Sequence, residues 1–262
     1  MEYRPLGKTD LSVSLLGQGG AAFGQQYGAV TVEEVKDCVR AAIDAGVNLF
    51  DTAAYYGRGL AEDFLGRALE GGLREKVLIC TKACRLDRAV FDFTPEGTRK
   101  CFEASLKRLR TDRVDILLAH DIEFADDYEY VFNETYRVLQ ELKREGKTRF
   151  IGMSCYPLGL LKQAIERCDL DVVISYAHCN LFNSRLLTEL LPVAQTRGTG
   201  VLNASPLAMG LLTNNGPQPW FPGPPEIIAR CRKAAELCRD RGADISFLGI
   251  QFCYAQKRIP CT

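Results

Sequence analysis

The sequence predicts an α/β fold of the TIM (β/α)8 barrel type, with a doubly wound open sheet as the alternative, and three observations carry that prediction. Short apolar runs alternate with amphipathic helical stretches from residue 12 to the end of the chain, at a spacing of about 30 residues per unit. The strand-like runs are continuous rather than alternating, as expected where both faces of a parallel sheet are covered. The chain has 262 residues, the size of one large α/β domain, and no low-complexity linker divides it.

Each element has a local reason. "YRPLG" and "LSVSLLG" are spaced to form a small hairpin across one mouth of the barrel, and "SVSLLGQGG" ends the first strand in glycines. The helix "TVEEVKDCVRAAIDAG" opens with a capping box, Thr31 with Glu34. Val35, Val39, Ala42 and Ile43 form its apolar face, and Gly46 stops it. "VNLFD" is the second strand and "LAEDFLGRALEGG" its helix, while "KVLICTK" leads to a helix capped by Thr94 with Pro95 in its first turn. Phe102, Leu106 and Leu109 face inward there. "VDILLAHD" pairs with the helix "ETYRVLQELKREG", "FIGMSCY" with "PLGLLKQAIERC", and "DVVISYAHC" with "SRLLTELLPVAQTRG". "TGVLNASPLAMG" precedes the proline-rich loop "TNNGPQPWFPGPP", two helical segments follow at 226–242 and 244–256, and "RIPCT" is the eighth strand. Loops as long as 213–225 commonly serve a site.

Charge and composition narrow the function classes. Lys plus Arg and Asp plus Glu number 33 each, a formal net charge of zero, which disfavours nucleic acid and anionic membrane as partners. No apolar stretch reaches 18 residues and the first ten lack a signal-peptide core, so a cytoplasmic location is expected. Eleven cysteines without a C-x-x-C pair read as reduced thiols, and Cys38, Cys101, Cys168, Cys231, Cys238 and Cys253 fall in helical patterns as small hydrophobes. Two histidines with no H-x-x-x-H give no reason to expect a metal site.

In a TIM barrel the chemistry sits at the C-terminal ends of the strands. Those ends carry Asp51 with Tyr55 and Tyr56, Lys82, His120 with Asp121, and Ser154 with Cys155. They also carry the segment 175–180, Asn203 and Ser205. A tyrosine near pKa 10 exchanges protons poorly at neutral pH, and an adjacent ammonium lowers that pKa. Lys82 is placed to supply the charge, Asp51 to hold Lys82 protonated, and His120 to orient a substrate oxygen. Singly, each has an ordinary reading: a loop acid, a rim aromatic, a solvated lysine, a core histidine. Together they suit proton donation to a carbonyl oxygen while hydride arrives at carbon. Lys82 as a Schiff-base amine is the competing chemistry.

Taken in order, these residues resemble the aldo-keto reductase superfamily. "FDTAAYYG" is similar to its second-strand signature, with Asp51 and Tyr56 in the catalytic positions and Tyr55 a neighbour. "ICTKA" matches the third-strand lysine at Lys82, and "DILLAHDIE" the fourth-strand histidine at His120. "AHDIEF" and "ASPLAMGLLT" are most similar to the branch of L-galactose dehydrogenases and aldose 1-dehydrogenases. The resemblance implies oxidation of a sugar's anomeric hydroxyl to a lactone with NAD or NADP, the substrate being a small sugar or carbonyl compound. It implies cofactor contacts at Gly19, Gly20, Asp51, Ser154, Cys155, Ser175, Ser205, Leu207, Gly210 and Leu211. Cys155 stands where many relatives have Asn, and Ala204 where many have an aromatic that stacks on the nicotinamide. No glutamine stands near the sixth strand, where Ser175 or Tyr176 takes its place. Family members continue past the eighth strand with a cofactor-gripping loop and a final helix, so a single barrel domain over 1–262 is expected to be C-terminally incomplete. The alternative the resemblance allows is a weakly active or inactive relative used as a cofactor sensor or interaction protein.

Overall fold

The structure, a computed structural model, describes residues 1–221 and 223–262. It opens with the expected antiparallel hairpin, β1 (Tyr3–Pro5) against β2 (Ser12–Ser14), with Arg4 opposite Val13. The parallel sheet that follows takes β3 (Gln18–Gly19), β4 (Leu49–Asp51), β5 (Leu78–Ala83), β8 (Val114–Ala119), β9 (Thr148–Ser154), β10 (Val172–Tyr176) and β11 (Gly200–Ala204) side by side in chain order. The ring is closed by Cys261 and Thr262. Cys261 bridges in parallel to Leu202, while Thr262 donates to the Leu15 carbonyl (3.0 Å) and accepts from the Gly17 amide (2.8 Å). The first strand-like run therefore divides: Ser12–Ser14 serves the hairpin, and the stretch around Leu15–Gly19 serves the barrel.

The helices form for the reasons their sequences give. In α1 (Val32–Asp44) the Thr31 hydroxyl accepts from the Glu34 amide while Glu34 reaches back to the Thr31 amide, and Val35 and Val39 are fully buried. Cys38 does not join that face and is exposed. Thr94 caps α3 (Pro95–Leu109), which buries Phe102 and Leu109. Two helices contain irregular turns that the periodicity did not reveal. One runs from α4 (Tyr128–Tyr130) through a π-helical turn, Val131–Thr135, into α5 (Tyr136–Arg144). The other is a π-helical turn, Leu186–Leu190, running into α7 (Leu191–Arg197), with Pro192, which has no amide hydrogen, at the junction. The remaining helices are α2 (Leu60–Ala68), α6 (Leu158–Arg167), α8 (Pro225–Arg239) and α9 (Ile245–Tyr254).

Two cores position the mouth. Leu6, Leu49, Cys80, Ile116, Leu118, Val172, Ile174, Leu202 and Cys261 fill the inside of the barrel, and a larger apolar shell lies between strands and helices. A second hairpin, β6 (Arg85–Asp87) with β7 (Val90–Phe91), rises after β5 and was not foreseen. Among the described residues no helix is long and apolar enough to cross a membrane, and all eleven cysteines are free thiols.

Candidate active site

The site begins where β4 ends. Parallel pairing sets Asp51 opposite Gly19 on one side and Cys80 on the other, which puts its carboxylate at the rim. The chain then turns tightly: the Tyr56 amide donates to the Ala53 carbonyl and the Arg58 amide to that of Tyr55. Gly57 at φ +62° completes the turn, and a Cβ there would come within 2.6 Å of the Gly24 carbonyl oxygen. This glycine contact anchors the Tyr56 loop to the 3-10 turn Ala21–Gly24, answering why a breaker follows the tyrosines.

Lys82 projects inward near the end of β5 and is buried. Its Nζ donates to both Asp51 oxygens at 2.7 Å and to the Thr52 carbonyl at 2.8 Å, and stands 3.2 Å from Tyr56 Oη. His120 follows β8 directly, its amide bonded to the Ala83 carbonyl at 3.0 Å, so the lysine and histidine strands are locked together. The buried His120 ring meets the Tyr56 ring edge-on, 5.9 Å between centroids at 88°. The four side chains expected to converge do so.

Their electrostatics follow from burial and pairing. Burial disfavours the charged form of Lys82, yet the Asp51 carboxylate, with Tyr56 and Cys80, outweighs it and holds the ammonium above the ordinary lysine range. Desolvation raises the Tyr56 phenol well above its usual value; Lys82 pulls it down, and Asp51 and Asp121 push it up. The lowering expected from Lys82 is therefore present but does not prevail. Burial also drives the His120 imidazole down to about 3, Asp121 opposing and Lys82 and Arg85 assisting, so the ring is neutral at pH 7. An uncharged imidazole beside a protonated phenol can hold and protonate a carbonyl oxygen.

Three further residues shape this centre: Asp121 and Tyr55, expected at the strand ends, and Arg85, which was not. Asp121 is buried, with φ at +51°, and its Oδ2 lies 3.5 Å from His120 Nε2. Arg85 pairs with Asp121 and lays its guanidinium over the Tyr55 ring, 3.8 Å from the centroid. Tyr55 in turn stands with its ring centroid 6.0 Å from that of His120, edge to face. Beside the same rim, Glu123 Oε1 accepts from the Tyr156 amide (2.9 Å) and the Tyr176 hydroxyl (3.3 Å).

The residues implied for a cofactor fall along one side of the mouth. A cavity of about 160 Å³ is lined by Gly19, Asp51, Asn203, Ala204, Ser205 and Thr262, among others. Gly19 leaves open space where a Cβ would stand, whereas at Gly20 that space is taken by the Asp51 carbonyl, 2.7 Å away. Asn203 Oδ1 is buried there with no partner among the described residues. Ser154 Oγ accepts from the Asp121 amide at 3.4 Å, Ser175 Oγ meets His178 Nδ1 at 3.2 Å, and the Cys155 thiol turns to the Pro157 carbonyl at 3.4 Å. In the turn after β11, the Gly210 and Leu211 amides are spent on the Leu207 and Ala208 carbonyls. The Ser205 and Leu207 amides meet no acceptor among the described residues.

Comparisons with known proteins show what the chain as a whole is similar to. Residues 15–260 match the model of the aldo/keto reductase family. The chain is 41% identical to L-galactose dehydrogenase of Arabidopsis thaliana over 264 aligned positions, covering 99% of this chain and 82% of that protein. It is 29% identical to D-threo-aldose 1-dehydrogenase of a Pseudomonas species, covering 92% of this chain and 82% of the relative. The holo form of aldo-keto reductase AKR11C1 from Bacillus halodurans superposes with a TM-score of 0.82 at 26% identity, covering all of this chain and 85% of that one. The match of the family model to residues 15–260, with 41% identity to a dehydrogenase relative over 99% of the chain, makes this chain a member of the aldo/keto reductase family and an oxidoreductase.

Proposed function

We propose that the chain oxidises an aldose such as L-galactose at C1, giving the lactone, with NAD or NADP as the partner. The observation that carries this reading is Lys82, held by both oxygens of Asp51 and 3.2 Å from Tyr56 Oη. The nicotinamide nucleotide, when bound, accepts the hydride that leaves C1. Tyr56 takes the proton from the C1 hydroxyl, and neutral His120 holds that oxygen in place. In the opposite direction Tyr56 returns the proton to a carbonyl oxygen. Because burial raises the phenol, Tyr56 rests as an acid near neutral pH. Oxidation, which needs the base form, therefore quickens as pH rises, while carbonyl reduction, which uses the acid form, stays level until pH approaches the raised value.

The cavity of about 160 Å³, the open Gly19 and the uncommitted amides of Ser205 and Leu207 suit the nucleotide. Asp51, Ser154, Cys155 and Ser175 flank the nicotinamide end, and Gly210 and Leu211 shape the turn that carries the free amides. Gly20 packs the rim beneath them.

The test is absorbance of the reduced nicotinamide with L-galactose, L-fucose and simple aldehydes, comparing wild type with Tyr56→Phe. Loss of the proton relay should lower kcat by about 10³-fold with nucleotide affinity preserved. Full turnover in Tyr56→Phe would sink the assignment.

A further inference from the structure

The loops that follow β3 and β11, the two strands flanking the seam, meet near Tyr55. Tyr27 follows the 3-10 turn Ala21–Gly24, and Trp220 lies in the proline-rich loop; their rings are 6.0 Å apart, inclined at 51°. Both are about half exposed, at 46% and 50%, although rings of this size normally gain most by burial. Next to this pair is a cavity of about 380 Å³ bounded by Gln26, Tyr55, Arg88 and Trp220. Neither the Gln26 amide nor the Arg88 guanidinium bonds any described side chain or backbone group, and Asp87, the nearest acid in sequence, is engaged by Arg58. The cavity adjoins the chemistry through Tyr55, whose ring is 6.1 Å from Tyr56 and 6.0 Å from His120.

We infer that this aromatic clamp is the ring-binding half of the substrate site, and that Trp220 with Tyr27 sets a preference for a pyranose over an open-chain carbonyl. The inference rests on the aldose reading above and deepens it. A pyranose presents a face of C–H groups, which lies favourably on an aromatic ring, and an edge of hydroxyls, which both donate and accept. Gln26 offers a donor and an acceptor in one plane, and Arg88 a fork of donors. Arg85 lies over one face of Tyr55, and Tyr55 and Trp220 both border the cavity. A small aldehyde reaches His120 and Tyr56 without touching the clamp.

The test pairs L-galactose oxidation with propanal reduction in wild type, Trp220→Ala and Trp220→Phe. Trp220→Ala should raise KM for L-galactose about tenfold with kcat little changed, the signature of lost uniform binding, and leave propanal within about twofold. Trp220→Phe should restore most of the affinity. Trp220 is the single tryptophan of the chain, so adding L-galactose to the Tyr56→Phe protein with NAD should shift its fluorescence directly. An equal loss with propanal, an unchanged KM for L-galactose, or silent fluorescence overturns the clamp. A wild type that converts propanal but no aldose overturns the aldose reading itself, and one that converts L-galactose with a Trp220→Ala ratio unchanged overturns only the clamp.

Discussion

His120 makes a charge-free imidazole in a crowded polar site, and that has a cost that pH exposes. Its folded pKa is pushed down to about 3, chiefly by burial, against an ordinary value of 6.5. Between those values the unfolded chain binds a proton that the folded chain refuses, so stability is complete above about 6.5 and declines as pH falls toward 3. His120→Gln, which cannot titrate, should remove on the order of a few kcal/mol of that decline, read as urea-unfolding free energy across the window; an unchanged decline would place it elsewhere. Asp51, Lys82 and His120 were legible from sequence because each stands at the end of an apolar strand run, where the barrel geometry fixes direction, and Tyr56 because it sits in the turn that follows β4. Arg85, and its pairing with Asp121, was not. Arg85 reaches its place through a turn at Cys84, φ +78°, and its partners Asp121 and Tyr55 lie 36 and 30 positions away, so no local periodicity marks the trio.

At the level of elements, the capping signals and strand runs predicted the order of the barrel closely, while breaks inside elements stayed hidden. Thr31 and Thr94 announce their helices through side chains that accept from the amide three residues ahead, a local signal. The hairpin of β6 and β7 and the two π-helical turns arise from packing against neighbours and leave no comparable mark. Gly152 in β9 shows how packing dictates a residue in a way no propensity does. It sits opposite Val172 in β10, and a Cβ there would fall inside the radius of the Val172 carbonyl oxygen. Backbone cannot yield as a flexible side chain can, so Gly152→Ala should force the two central strands apart and cost about 3 kcal/mol. Thermal unfolding of that variant, beside Gly159→Ala where the space is open, separates this clash from the general effect of removing a glycine.

For the molecule as a whole, the barrel depends on a closure made by few bonds. Seven strands pair in order, and the remaining gap is spanned by Cys261 and Thr262 through contacts to Leu15, Gly17, Leu202 and Asn203. The segment that delivers them, residues 255–260 after α9, is held by Arg4 of the N-terminal hairpin. Its guanidinium donates to the carbonyls of Tyr254 (3.2 Å), Gln256 (3.0 Å) and Ile259 (2.8 Å). Two of those acceptors, Tyr254 and Gln256, lie at the end of α9, where carbonyls lack an intrahelical donor and the dipole favours a cation, and Ile259 lies in the segment beyond it. The hairpin is thus a clasp across the seam as well as a cover for the barrel's lower end. Because the closing residues also line the cavity assigned to the nucleotide, loosening the seam should reach the site. Arg4→Met keeps the apolar stem and removes the donors, and should cost about 2–3 kcal/mol, the value of charged hydrogen bonds to part-buried carbonyls. Hydrogen exchange locates the damage: the Thr262 and Asn203 amides should exchange faster in Arg4→Met, while the His120 amide, bonded to the Ala83 carbonyl between β5 and β8 on the far side of the ring, should be unaffected. Uniform acceleration at all three would mean that the hairpin supports global stability rather than the seam.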